Sequence, residues 1–253
     1  MKTKVLTFCN HKGGVGKTTS VVNISGVLAS KGFRVLVIDL DAQSNLTTSL
    51  YEVNENERNM YQALKSRKDL PIVKLTDNLH LAPSSLDLAS IETEIGGQIG
   101  RERALAELIE PIKNNYDFIL IDCAPTLSLL LINALATTDK VYIPMTAETL
   151  SYRGLVSLEN VIEQAKQYLN NKIEIGGIFF TRWNGRNLNI NIEEVARETY
   201  GDIILETKVR ENISIAEAPI YKQNICDYQP KSNGAKDYTL LAEEILTREC
   251  SKV

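Results

Sequence analysis

His11-Lys12-Gly13-Gly14-Val15-Gly16-Lys17-Thr18-Thr19 joins the apolar run Val5-Leu6-Thr7-Phe8-Cys9 to a segment, Thr18 to Ser30, with apolar Val21, Val22, Ile24, Val27 and Leu28. The first run reads as a buried strand and the second as a helix, so the glycines fall in the turn between them. Glycine lets the backbone turn tightly and aim several N–H groups at one anion. The start of the following helix adds its positive end. The ending Gly16-Lys17-Thr18 fits the phosphate-loop pattern G-x-x-x-x-G-K-[ST], although His11 stands where that pattern has its first glycine. Gly13, Gly14, Val15 and Gly16 are expected to line a nucleotide's phosphates. Lys17 is placed to reach the β- and γ-phosphates, Thr18 to bind Mg²⁺ through its hydroxyl, and Thr19 to touch the α-phosphate.

Outward from this loop, strand and helix patterns alternate. Strands are expected over Arg34–Ile38, Leu79–Pro83, Asp117–Ile121, Lys140–Pro144 and Ile173–Phe180, the last with Gly176-Gly177 inside it. Helices are expected over Glu102–Ile112, Leu150–Leu169, Ile190–Tyr200 and Ala235–Thr247, with a short one between Tyr51 and Pro71. This rhythm implies βαβ units and an α/β fold, a mostly parallel sheet flanked by helices on both faces. No Pro/Gly/Ser-rich linker or repeat interrupts it, so residues 1–253 are read as a single P-loop NTPase domain.

Strand ends supply the next signal, because ligands of open parallel sheets sit beyond the carboxyl ends of the strands. Asp39-Leu40-Asp41 closes the second strand, and alternation puts both carboxylates on one side. Asp41 is placed to orient an attacking water, and Asp39 to help hold Mg²⁺ through water. Phe118-Ile119-Leu120-Ile121-Asp122 has the form of an apolar run ending in a carboxylate that supports the Mg²⁺ shell.

Bulk properties exclude several classes. A net charge of -4 rules out a basic chain binding nucleic acid over its whole surface. Cys9, Cys123, Cys226 and Cys250 form no CxxC pair, and two histidines are too few for a dedicated metal site. Met1-Lys2-Thr3-Lys4-Val5 carries no apolar signal core and no stretch is long enough to span a bilayer, so a cytoplasmic location is expected.

The loop with Lys12 ahead of Gly-Gly-Val-Gly-Lys-Thr-Thr resembles the deviant Walker A loop of the ParA/MinD superfamily. Asp39-Leu40-Asp41-Ala42-Gln43-Ser44-Asn45 resembles that group's DLDPQGN segment, with Ala42 for Pro and Ser44 for Gly, and Asp122-Cys123-Ala124-Pro125 resembles its DxxP segment. Glu217-Ala218-Pro219 and Gly234-Ala235 match the ParA/Soj partition proteins, over nearly the whole chain. The resemblance implies an ATP- and Mg²⁺-dependent homodimer with slow hydrolysis raised by a ParB-like activator. It also implies that Lys12 crosses the dimer to the partner's phosphates, acting as a catalytic cation with Lys17 and Asp41, and that adenine lies near Thr181-Arg182 and the loop from Arg210 to Pro219. The absence of an Asn-Lys-x-Asp guanine motif favours ATP.

Members of this group bind non-specific DNA as the ATP dimer, which here would associate the chain with the nucleoid. Two of their arginines correspond to Glu211 and Ser214, and a third to Asn233, so fewer cations meet the strand and binding should be weaker and more salt-sensitive. Lys208, Arg210, Lys222, Lys231 and Lys236 are the DNA-binding candidates. Two other readings stand beside this one. A MinD-like membrane switch needs a basic amphipathic C-terminus, whereas Leu240 to Cys250 is acidic. A metabolic P-loop enzyme, of the dethiobiotin-synthetase or nitrogenase-iron-protein kind, needs no Lys12 in the first case and cluster-forming cysteines in the second.

Overall fold

The computed structural model describes residues 2–54 and 57–250, with side chains for all of these except 149–154. Among the described residues seven strands form one sheet: β1 (Lys4–Phe8), β2 (Val35–Leu40), β3 (Val73–Lys74), β4 (Leu79–Ala82), β5 (Phe118–Cys123), β6 (Lys140–Thr146) and β7 (Glu174–Thr181). Their order is β3-β4-β2-β5-β1-β6-β7, and only β3 pairs antiparallel. All residues of β2 and β5 are buried, as continuous Val/Ile/Leu runs require when helices cover both faces of a parallel sheet.

Alternation along the strands sorts their side chains between two cores. Val5, Ile119 and Ile121 pack on one face, with Ala104, Leu108 and Ala134 of the helices there. Leu6, Phe8, Phe118 and Leu120 pack on the other, against Val21 and Ile24 of the helix Lys17–Ser30 and Tyr238 and Leu241 of the helix Asn233–Cys250. The last helix is tied to the sheet by buried Glu249, which accepts from the Tyr142 hydroxyl at 2.8 Å and lies 3.5 Å from the Lys4 ammonium. The parallel sheet with helices on both faces is thus as expected from the sequence.

The differences lie in short elements. The helix expected over 102–112 is a 3₁₀ turn at Arg101–Arg103 followed by Ala104–Ile109. A further helix spans Leu129–Thr137, and the short helix within 51–71 is Met60–Ser66, with Asn59 as its cap. The six-residue helix Asn45–Leu50, the strand β3 and the short helices Ile213–Glu217 and Ile225–Tyr228 had no periodic signature. Elements this short are held by tertiary contacts rather than by their own propensity.

The two glycines inside β7 have a packing reason. The register with β6 slips between Val141 and Tyr142, where Gly176 is the extra residue of a bulge. A Cβ on Gly176 would stand 2.8 Å from the Tyr142 ring, and one on Gly177 would overlap the fully buried Leu205 side chain. We expect Gly177→Ala to destabilise the protein by about 1–3 kcal/mol, the usual penalty for overpacking a filled core. Denaturant unfolding checks this, and an unchanged midpoint would show that Leu205 yields freely.

Candidate nucleotide site

Past β1 the chain leaves the sheet through Asn10, whose side-chain amide donates to the Pro144 carbonyl at 2.8 Å and whose Oδ1 accepts the Lys12 N–H at 3.0 Å. Gly14 and Gly16 then take φ values of 72° and 83°, the left-handed region that glycine enters without penalty. The Thr181 hydroxyl donates to the Val15 carbonyl at 2.8 Å, pinning the loop to the end of β7. Gly16 is the N-cap of the helix Lys17–Ser30, with no side-chain cap and no acidic residue in the first turn. The N–H groups and positive end of that helix are therefore open to an anion.

They open into a cavity of about 880 Å³, lined by Gly13, Gly14, Gly16, Lys17, Thr18 and Thr19 on one wall and by Asp41, Arg182 and Pro219 elsewhere. Val15 lines none of it; its side chain is fully buried, and only its backbone belongs to the loop. Lys17 is 7% exposed and its ammonium donates to the Lys12 carbonyl at 3.1 Å. Burial pushes its pKa down, and the nearby Asp122 carboxylate opposes that shift.

Asp122 ends beneath this wall, fully buried, and neither carboxylate oxygen has a hydrogen-bond partner. Burial first, and then the charge of Asp39, drives its pKa well above the ordinary value, while the Thr18 hydroxyl and Lys17 ammonium pull it back. An orphaned buried carboxylate beside a helix N-terminus and a threonine hydroxyl fits a hydrated Mg²⁺. That ion takes few protein ligands and fills its shell with water and phosphate oxygens. Among the described residues no cluster of three or more His, Cys, Asp or Glu could hold a metal alone.

Asp39 requires a correction. It was expected to face the metal beside Asp41, but β2 ends at Leu40, so strand alternation does not carry to Asp41. Asp39 is turned into the protein, where its carboxylate accepts from the Asp41 N–H at 3.0 Å, the Thr47 N–H at 2.9 Å and the Thr47 hydroxyl at 2.7 Å. Asp41 alone reaches the cavity, with Oδ1 accepting the Gln43 N–H at 2.9 Å. Ser44, at the position of the resembled segment's glycine, keeps a left-handed φ of 54°.

Lys12 points away from the cavity that its own loop forms. Its ammonium pairs with Glu148 at 2.5 Å and meets the Thr146 hydroxyl at 3.4 Å. Glu148 was missed in the sequence, although its place just beyond β6 satisfies the strand-end rule. The DNA candidates also divide. Lys208 is paired with Glu193 at 2.8 Å and stacked over Trp183, and Arg210 grips buried Asp237 through its backbone N–H and guanidinium at 2.6–2.9 Å. Both are therefore neutralised in place, against expectation. Lys222 donates to the Thr48 carbonyl, and Lys222, Lys231 and Lys236 are exposed with no acidic partner among the described residues.

Comparison with known proteins places this geometry. A family model described as AAA domain matches residues 3–175. The sporulation initiation inhibitor Soj of Bacillus subtilis is 38% identical over 247 residues, covering 96% of this chain and 98% of its own. The chain belongs to the ParA/Soj family. The family's chromosome-partitioning protein ParA from Caulobacter vibrioides is 34% identical, with 97% of this chain and 95% of its own length aligned. Among solved structures, a putative plasmid partition protein of Borrelia burgdorferi bound to AMPPNP superposes with a TM-score of 0.82 at 27% identity over 100% of both chains. Cobyrinic acid a,c-diamide synthase of Mycobacterium smegmatis, with an ATP analogue and magnesium, gives 0.88 at 28% identity over 99% of this chain and 97% of its own.

The buried, unpaired Asp122 carries a stability cost. We expect Asp122→Asn to stabilise the nucleotide-free protein by about 1–3 kcal/mol, because it removes a buried charge whose desolvation outweighs what Thr18 and Lys17 give back. The folded-state pKa of Asp122 lies above its unfolded value, so the penalty is absent when the carboxyl is protonated and grows as pH rises. Thermal unfolding should thus show the variant's advantage widening from acidic to alkaline buffer, and a constant gap would contradict this account.

Proposed function

We propose that this chain is an ATP-driven dimerising switch of the ParA type, acting as one unit over residues 1–253. In this reading it binds ATP with Mg²⁺, pairs with a second copy, holds non-specific DNA as the dimer and releases it on hydrolysis to ADP and phosphate, with a ParB-like protein accelerating that step. The observation that carries the reading is the position of Lys12. It belongs to the phosphate loop, yet its ammonium lies outside the cavity of its own chain. A cation so placed serves a phosphate presented by a facing copy better than one in its own cavity.

Each residue has a role in that cycle. The N–H groups of Gly13 to Thr19 and the Lys17 ammonium bind the phosphates, and excluding water there strengthens those contacts. Thr18 and Asp122 would hold Mg²⁺, which supplies charge neutralisation at the phosphate oxygens when bound. Asp41 orients the attacking water, and Lys12 offsets the negative charge that develops on the partner's phosphates. Lys12 must leave Glu148 to do so, which makes unstimulated turnover slow. Lys222, Lys231 and Lys236, doubled in a dimer, supply the cations for DNA and its nucleoid association.

A metabolic reading has one observation in its favour, the fit to cobyrinic acid a,c-diamide synthase. Nearly full-length identity to Soj and ParA outweighs it.

With ATP and Mg²⁺ the wild type should shift from monomer to dimer in light scattering, Lys12→Ala should stay monomeric, and Asp41→Ala should accumulate as an ATP-bound dimer whose hydrolysis falls at least about a hundredfold. Dimerisation and normal turnover in Lys12→Ala would sink the reading. For DNA, three unpaired lysines per copy imply a log–log salt slope no steeper than about -5 for the dimer. Fluorescence anisotropy across a salt series, with ATP, ADP and no nucleotide, measures it.

A further inference from the structure

Asp41 lies in a turn, between the end of β2 and the helix Asn45–Leu50. A side chain on such a segment aims reliably only if the backbone beneath it is fixed. Both ends of the Asp41 residue are fixed by one closed ring of hydrogen bonds. Its N–H donates to Asp39 Oδ1 at 3.0 Å, and its carbonyl accepts from the Ser84 hydroxyl at 2.8 Å. The Ser84 N–H donates to Thr47 Oγ1 at 2.9 Å, and Thr47 Oγ1 in turn donates to Asp39 Oδ2 at 2.7 Å. The ring is buried, with Asp39 and Thr47 at 0% exposure and Ser84 at 1%, while Asp41 itself remains open to the cavity.

The direction of each bond is determined. The Thr47 oxygen has one proton, which goes to the carboxylate, and its lone pair takes the Ser84 N–H, so the hydroxyl is used on both sides. The ring joins three separate stretches: the end of β2, the helix Asn45–Leu50 and the loop after β4. The last is anchored in turn by the Met60 N–H donating to the Pro83 carbonyl at 2.8 Å. None of the ring's hydroxyls lines the nucleotide cavity.

We propose that Thr47 and Ser84 are positioning residues that set the aim of Asp41 by fixing its backbone through Asp39, a role that rests on the reading of Asp41 as the water-orienting carboxylate. Thr47 and Ser84 are buried and line none of the nucleotide cavity, so their removal should lower the rate of the chemical step and leave nucleotide binding alone. A displacement of the reacting groups by a fraction of an ångström is sufficient for a large rate effect.

The test uses the full chain with Mg²⁺ and ATP, measuring kcat and KM for hydrolysis, the Kd of a fluorescent ATP analogue, and thermal unfolding. Thr47→Val keeps the volume and deletes the hydroxyl. It should lose about tenfold or more in kcat with nucleotide affinity within about twofold of wild type. Thr47→Ser restores the hydroxyl and should recover most of the rate, a rescue that a purely space-filling role would not give. Ser84→Ala removes one donor at little steric cost and should show the same kcat-only loss, so it decides the matter if Thr47→Val does not fold. Wild-type turnover in both Thr47→Val and Ser84→Ala, alongside loss in Asp41→Ala, overturns the positioning role alone. Parallel loss of rate, affinity and melting temperature without rescue by Thr47→Ser overturns it as well. Unchanged turnover in Asp41→Ala would overturn the underlying reading of the site.

Discussion

A helix that begins inside a protein leaves N–H groups needing acceptors, and the helix Lys17–Ser30 begins with no side-chain cap. The groups around it add to the imbalance. Lys17 is buried at the helix start, and beneath both lies Asp122, a carboxylate with no hydrogen-bond partner. Donors, cation and carboxylate are each poorly satisfied by the protein itself. Together they match one kind of occupant, a polyphosphate whose oxygens meet the donors and whose hydrated cation meets the carboxylate. The strands that carry these groups are buried on both faces, which fixes their positions.

The strand order explains how these groups meet. β1 lies between β5 and β6, so the loop leaving β1 emerges beside the end of β5, with Asp122 paired to Phe8 in register. β2 adjoins β5 on the other side, and its register pairs Asp39 with Asp122. Two buried carboxylates thus stand on neighbouring strands, and after burial itself the charge of Asp39 raises the pKa of Asp122. The structure separates their roles by hydrogen bonding. Asp39 takes donors from Thr47 and Asp41, which hold its pKa down against burial so that it rises only to about 6, whereas Asp122 takes none. One carboxylate organises a turn, and the other is left for a ligand.

The sequence made the parallel sheet and phosphate loop legible because both rest on local patterns: apolar runs of strand length, and glycines at a strand–helix junction. Asp122 was legible for the same reason. The role of Asp39 was not, since period-two alternation holds only while the chain stays extended and β2 ends one residue before Asp41. Thr47 and Ser84 carry no local signal, because what matters about each is a partner that only the fold brings up, and Glu148 had nothing beyond its place past a strand end. Thr47 meets Asp39 through a helix of only six residues that no periodicity marks, and Lys12 meets Glu148 across 136 positions.

Charge pairing is the least legible property of all. Lys208 and Arg210 look like free cations in the sequence, yet the fold sets Glu193 against the first and Asp237 against the second. Arg210 gives both its backbone N–H and its guanidinium to Asp237, which immobilises the segment bordering the cavity. A residue used in this way stiffens a wall and adds little to the field outside. Of the five DNA candidates, those without an acidic partner among the described residues are Lys222, Lys231 and Lys236, and three cations per copy bind a polyanion weakly at physiological salt. In the proposed cycle, binding that draws half of its charge from a second copy would be controlled by dimerisation, and dimerisation by the triphosphate. In that cycle a sparse basic surface, on a chain of net charge -4, would make the nucleotide's control over DNA tighter rather than weaker.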